Sequence, residues 1–134
     1  MNAEAATEDF GHIDFALDGD VVELTWRGFI SDKTCGSAPG ALATFLDGRP
    51  VTWAVFDACA VTGFAADSRF AGGAILTALK ERGVRRTWVI TTSSPIRMIG
   101  STVALAVGLS IRFHDNVEEA HKAIALERLK PARR

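Results

Sequence analysis

Two cysteines in 134 residues, Cys35 and Cys59, are too few and too far apart for a disulfide framework or a zinc-binding spacing. The start of the chain is acidic and polar, without an export-signal pattern, so free thiols and a cytoplasmic location are expected. Charge of one sign is lacking too. Fifteen basic residues face 16 acidic ones, a formal net charge of −1, and nothing in that balance draws in nucleic acid. The most apolar stretch, residues 102–111, falls well short of the roughly 20 apolar residues that span a hydrocarbon core, so no transmembrane segment is expected. There is no Walker lysine loop, no G-x-G-x-x-G after a strand, no H-E-x-x-H and no G-x-S-x-G elbow. The sequence therefore names no catalytic residue, no metal ligand and no cofactor, and a non-enzymatic protein is expected.

What is present is a composition of 48% hydrophobic and 23% charged residues, close to the globular average. The length fits one domain, expected over residues 12–129, with a flexible segment at 1–11 and a frayed tail at 130–134. Ile13, Phe15 and Leu17 alternate, then Val22, Leu24 and Trp26, on either side of Asp18-Gly19-Asp20, which is a β-hairpin signal. A short amphipathic helix follows, with Pro39 near its start, Leu42, Phe45 and Leu46 on one face and Gly48 past its end. "VTWAVFDAC" reads as a strand covered on both faces, and residues 60–67 as an irregular connection. A second helix runs from Ser68 to about Arg82 and stops at Gly83. "RRTWVITT" is another central strand. A third helix has Ser94 as N-cap, Pro95 at its first position and Gly108 as its stop. "LSIRFHD" is a short strand, and Asp115 with Glu118 resembles a capping box for a last helix. The order β-β-α-β-α-β-α-β-α argues an α/β fold: a mostly parallel mixed sheet with an N-terminal hairpin and four helices.

Several residues invite a chemical reading beside a structural one. Gly72-Gly73, inside the second helix, suits a close approach of helix to sheet better than phosphate binding. Replacing Gly73 by a large residue is accordingly expected to cost more than replacing Lys80 at an exposed helix end. His114, Glu118 and His121 are a loose metal set, weaker than defined zinc spacings, and His12 is expected to face solvent. Cys59, at the end of a central strand, reads as a small buried hydrophobe. Trp26, Trp53 and Trp88 fall on strands, where core packing and ligand stacking are the two roles for an indole; Trp53 and Trp88 are expected on adjacent central strands and buried.

The order of elements, Asp57 closing the third strand, Asp67-Ser68 before the second helix, and the run "VRRTWVITTSSPIRMIGSTVALAVGLSIRFHDNVEEA" together resemble the STAS domains, found in anti-sigma factor antagonists and at the ends of anion transporters. The likeness covers about residues 12–128. In the antagonists, the Ser of an Asp-Ser pair heading that helix is phosphorylated by a partner kinase, after which it no longer binds it. The resemblance thus implies Ser68, beside Asp67, as a phosphorylation switch and a kinase-like anti-sigma factor as partner. The sequence departs from the pattern where Arg69-Phe70-Ala71 replaces the usual Ser-Gly-Leu continuation. Helix capping by Asp67 or Ser68, worth roughly 1 kcal/mol, is the other role for the pair.

The third helix carries one charge, Arg97, between Pro95 and Val107, although a helix on one face of a sheet normally shows a polar side. Either a second chain, as in a homodimer, or a neighbouring helix is expected to cover it. Arg69, Phe70, Arg97, Met98, Ile99 and Thr102 are the residues expected to form a partner or ligand surface. The sequence leaves two function classes: a bacterial regulatory interaction domain, and a carrier holding a small apolar ligand or lipid between the third helix and the sheet.

Overall fold

The alternation around Gly19 folds as an antiparallel pair in the computed structural model, which describes residues 12–65 and 68–129, with only the backbone described for 32–36 and 68–72. Strand β1 (His12–Asp18) pairs with β2 (Val21–Ile30) from His12↔Arg27 to Asp18↔Val21. The two-residue turn needs the positive φ of 63° at Gly19. Helix α1 (Asp32–Leu46) leads to β3 (Trp53–Phe64), α2 (Ser68–Glu81) to β4 (Arg86–Ile90), and α3 (Ser94–Val107) to β5 (Ser110–His114), before α4 (Val117–Leu129). The five strands lie in chain order, β1 to β5, and all pairs after the first are parallel. The expected element order and sheet type are those observed. The expected flexible segment 1–11 and frayed tail 130–134 lie outside the described residues.

Because every crossover advances by one strand in the same direction, crossovers of one hand must place their helices on one face. That face holds α1, α2 and α3, with Leu42, Leu46, Ile75, Leu79 and Ala104 packed on Val22, Leu24, Ala54, Phe56 and Val89. The other face holds only α4, whose Ala120 and Ile124 pack on Val21, Trp53, Val55, Trp88 and Ile90. Trp53 and Trp88 lie on adjacent strands, are 6% and 1% exposed, and bring their rings to 5.6 Å. Their burial is the one expected of strands covered on both faces. Trp26 is equally buried, on the three-helix face.

Boundaries depart from the sequence reading in four places. Helix α1 begins at Asp32, so Pro39 lies inside it, and the polar segment before Pro39 is helical instead of loop. Strand β3 continues to Phe64 because β2 runs on beside it, pairing Ile30 with Phe64. The N-cap of α3 is Ser93, whose Oγ accepts the Ile96 N–H at 3.3 Å, with Ser94 and Pro95 already helical. The cap of α4 is Asn116, whose side chain accepts the Glu119 N–H at 2.9 Å. Asp115, freed of that role, pairs with Arg97 at 2.8 Å.

The glycine that brings helix to sheet is also a different one. A Cβ on Gly73 would meet Val103 of α3 at 3.6 Å, an ordinary contact between two helices, whereas a Cβ on Gly100 would press on the Phe113 ring of β5 at 3.3 Å. Gly72 lies among the residues described by backbone alone. Lys80, for its part, is more than an exposed end: its ammonium donates to the Val107 carbonyl at 3.0 Å and ties α2 to the C-terminus of α3.

Candidate functional site: the carboxyl edge of the sheet and the third helix

Strand β3 outruns its neighbour. Its pairing with β4 ends at Asp57↔Ile90, while its pairing with β2 continues through two irregularities. Between Thr25↔Asp57 and Arg27↔Ala60, β3 spends one residue more than β2, and Trp26 faces this bulge; a second follows between Gly28↔Val61 and Phe29↔Gly63. Bulges bend a strand and increase its twist. Beyond Asp57 β3 has lost β4 as a neighbour and is paired on the β2 side alone, and Cys59 and Ala60 are exposed.

Cys59 is thus a free and exposed thiol, not the buried hydrophobe that a central strand implies, because β4 has ended beside it. Its thiol lies 3.9 Å from the Ile90 carbonyl, and Asp57 accepts its backbone N–H at 3.0 Å. Burial first, then hydrogen bonding to Asp57 and the charges of Asp57 and Asp115, push its pKa above the ordinary thiol value. A protonated thiol is a poor nucleophile at neutral pH.

Arg97 closes the neighbouring edge. Its guanidinium donates to the Thr91 carbonyl at 3.0 Å and to Asp115 at 2.8 Å, and lies 5.6 Å from the Phe113 ring centroid. The only charge on α3 is thereby turned inward, onto the end of β4 and β5. The outer side of α3 is left to Pro95, Met98, Thr102 and Leu105, all exposed, with Met98 at 70% and Leu105 at 85%. These positions follow helical spacing and form one stripe. Within the described residues no neighbouring helix covers it. The Thr102 hydroxyl donates back to the Met98 carbonyl at 3.0 Å.

Beneath α3 lies a cavity of about 140 Å³. The sheet contributes Trp26, Ile30, Phe56, Val89 and Ile111, and the helices contribute Ile75, Leu76, Ile96, Ile99 and Val103. Ile99 therefore lines the cavity, while Met98 and Thr102 are exposed on the outer side of α3. Among the described residues, two buried side-chain polar atoms have no hydrogen-bond partner, and one is the indole nitrogen of Trp26.

The loose histidine set does not assemble. His114 faces Glu119 at 3.4 Å, while His121 bonds Glu23 across the sheet at 2.8 Å. Among the described residues no group of three or more His, Cys, Asp or Glu stands where it could hold a metal. His12 is exposed, as expected, and bonds Asp14 at 2.7 Å. Ser68 is the first residue of α2, and its side chain, with those of Arg69 and Phe70, lies outside the described residues, as does the whole of Asp67. No helix among the described residues is long and apolar enough to cross a membrane.

A hairpin edge, parallel strands in chain order, three helices on one face and one on the other define the STAS-like fold that the sequence resembles. Solved structures share it. The chain is similar to the anti-sigma factor antagonist SpoIIAA in its unphosphorylated form, with 13% identity over 90% of this chain and 99% of that one and a TM-score of 0.63. An anti-sigma factor antagonist from Mycobacterium paratuberculosis matches with 15% identity, 87% and 96% coverage and a TM-score of 0.64. The phosphorylated form of the Bacillus cell fate determinant SpoIIAA matches with 12% identity, 84% and 99% coverage and a TM-score of 0.63. No family model matches the sequence, and no curated protein matches it either. At such identities the likeness establishes the fold, and function must be argued from the site.

Proposed function

We propose that residues 12–129 form a single, non-enzymatic interaction domain of the bacterial regulatory type, working in the cytoplasm. The observation that carries this reading is the apolar stripe of Pro95, Met98, Thr102 and Leu105, exposed on a helix whose one charge is turned inward. A protein partner covers that stripe, and a kinase-like anti-sigma factor is the kind the fold likeness suggests, with a second copy of the chain as the other. Ser68 is the switch, with Asp67, Arg69 and Phe70 beside it. Support comes from placement: α2 and α3 follow parallel strands and touch at Gly73 and Val103. Five residues back from each contact, or about 7.5 Å along each axis, lie Ser68 on one helix and Met98 on the other. A phosphate at the head of α2 would find free backbone N–H groups and a favourable dipole, next to the surface that the partner uses.

The test compares wild type, Leu105→Glu, Ser68→Asp and Ser68→Ala in pull-downs from the native cell, beside a melt of each and phosphate mapping of Ser68. Loss of the same partner in Leu105→Glu and Ser68→Asp, with melts unchanged, supports both surface and switch. An unchanged partner set with no phosphate on Ser68 overturns the switch and leaves Ser68 a cap. Light scattering after size exclusion tells a second copy from a different protein.

A second reading, a carrier of a small apolar ligand, is favoured by the cavity under α3. Its volume of about 140 Å³ is near that of cavities that take up a benzene-sized molecule and well below the roughly 300 Å³ at which drug-sized pockets begin. A ring-sized guest fits this reading better than a whole lipid. Native mass spectrometry of protein purified without detergent tests it.

A further inference from the structure

The outer side of α4 is apolar where a helix lying on a sheet should be polar. Ala120 and Ile124 already bury its inner side against Val55, Trp88 and Ile90, yet Leu126 and Leu129 are 63% and 81% exposed. With the exposed Lys122 they stand at i, i+4 and i+7, one line along the helix that faces away from the sheet. Single exposed leucines need no explanation, but these two lie among cations. Arg112 of β5 is exposed and in register with Trp88, which α4 covers, so it flanks α4 on the same face of the sheet. Among the described residues neither Arg112 nor Lys122 has an ion-pair partner, whereas the carboxylates of Glu127 and Asp20, at this end of α4, are each held by an arginine, Arg86 and Arg128. The other acidic residues of the helix, Glu118 and Glu119, sit in its first turn. Residues 120–134 hold five basic residues against one acidic, in a chain whose net charge is −1. Attraction to the helix dipole accounts for cations in the last turn, but not for the leucines between them.

We infer that the C-terminal half of α4 docks on an anionic lipid surface, with Leu126 and Leu129 entering between the headgroups and Lys122, Arg112 and the basic residues after Leu129 meeting the phosphates. The sign of the charge selects an anionic partner. The shape selects a lipid one: two leucines projecting from the convex side of a single helix need a medium that receives them, and the boundary between headgroups and acyl chains takes up the apolar side of a helix flanked by cations. The inference stands apart from the reading above, because the α3 stripe belongs to the opposite face of the sheet. A chain held on a membrane through α4 keeps that stripe open to its partner.

The probes are vesicles of phosphatidylcholine alone and of an equal mixture of phosphatidylcholine and phosphatidylglycerol. Co-sedimentation of the full chain at low salt is measured for wild type, for the pair Leu126→Ser and Leu129→Ser, and for the pair Arg112→Gln and Lys122→Gln, beside a melt of each. Wild type should bind the mixed vesicles and not the neutral ones. The leucine pair should weaken that binding by about tenfold at unchanged charge, and the cation pair by about fivefold for each charge removed. No binding to the mixed vesicles, or equal binding to both kinds, overturns the inference; so does a leucine pair that binds as wild type does, since the attraction is then electrostatic alone. Binding of polyglutamate without binding of the mixed vesicles assigns the patch to an acidic protein and overturns the lipid. Should a variant melt early, short-chain phosphatidylglycerol titrated into 15N-labelled wild type decides: amide shifts should centre on residues 122–129, and shifts centred on any other element refute the assignment.

Discussion

Thr87 on β4 and Thr91 just past its end stand two periods of β alternation apart, both fully buried, at 0% and 1% exposure, yet their hydroxyls differ. The Thr87 Oγ1 has no partner among the described residues. It sits between Ala54 and Ile111 in the register, surrounded by apolar neighbours. The Thr91 Oγ1 accepts the Ser93 N–H at 3.0 Å and holds the turn that leads into α3. Thr→Val changes a hydroxyl to a methyl and keeps the β-branched shape, so the same substitution should act with opposite sign at the two sites. At Thr87 it removes an unpaired polar group whose burial costs about 1–3 kcal/mol, and stability should rise by about 1 kcal/mol. At Thr91 it deletes a hydrogen bond and orphans a half-buried N–H, and stability should fall by about 1 kcal/mol. For a domain of this size each kcal/mol moves Tm by about 3–5 °C. Thermal melts followed by circular dichroism, with urea titrations to confirm an unchanged m-value, should therefore separate the two variants by about 6–10 °C. If Thr87→Val melts below wild type, the hydroxyl has a partner and the reasoning fails.

Two further outcomes follow from contacts. Gly73→Ala should raise stability by about 0.4–1 kcal/mol, since the new methyl meets Val103 at an ordinary 3.6 Å and the helix gains propensity; Gly100→Leu should lower it by about 1–3 kcal/mol through the crowding at Phe113, and equal melts would show that α3 packs elsewhere on the sheet. Burial pushes the Asp20 carboxyl up, but hydrogen bonds from Arg128 and Thr52 outweigh it and hold the group below its ordinary 3.8. A depressed carboxylate stabilises the fold above that value and loses the contribution as pH falls through the lower folded one. With both partners partly exposed the amount is a few tenths of a kcal/mol. Arg128→Gln should accordingly lose less stability than wild type between about pH 5 and pH 2, and parallel acid-melt curves would argue against the pair.

What the sequence made legible was periodic. The alternation of Ile13 to Trp26 and the apolar runs around Trp53 and Trp88 depend on near neighbours, and so did Gly108, whose left-handed φ of 81° ends α3. What stayed hidden depends on which elements meet. Gly73 and Gly100 are both helix glycines, and nothing local says that Gly73 faces another helix and Gly100 a phenylalanine on β5. Cys59 reads as buried until one knows that β4 stops at Ile90. The bulges of β3 carry no breaker at Ala58-Cys59, so that stretch looks like the end of a strand. The candidate surface divided the same way: the single charge on α3 was visible at Arg97, but only the contact with Asp115 shows that it is turned away from the stripe. Cavity and unpaired indole were beyond reach, since the void is lined by six elements, β2 to β5 with α2 and α3, that fail to meet.

The sheet order ties these features together. Strands that advance one place at a time put α1, α2 and α3 side by side, so α2 and α3 run in parallel, in contact at Gly73 and Val103 and latched at their far ends by Lys80 on the Val107 carbonyl. The latch fixes one end of the pair. At the other end lie Ser68, Met98 and the stretch of β3 that runs on past β4, with the cavity between the two helices and the sheet. A guest in the cavity touches Ile75 and Leu76 on α2 and Ile99 and Val103 on α3, whereas a partner on the stripe touches α3 from outside. Guest and partner would therefore act on opposite sides of one helix, and any preference of either for a particular α2–α3 spacing would have to appear, with equal size, in the affinity of the other.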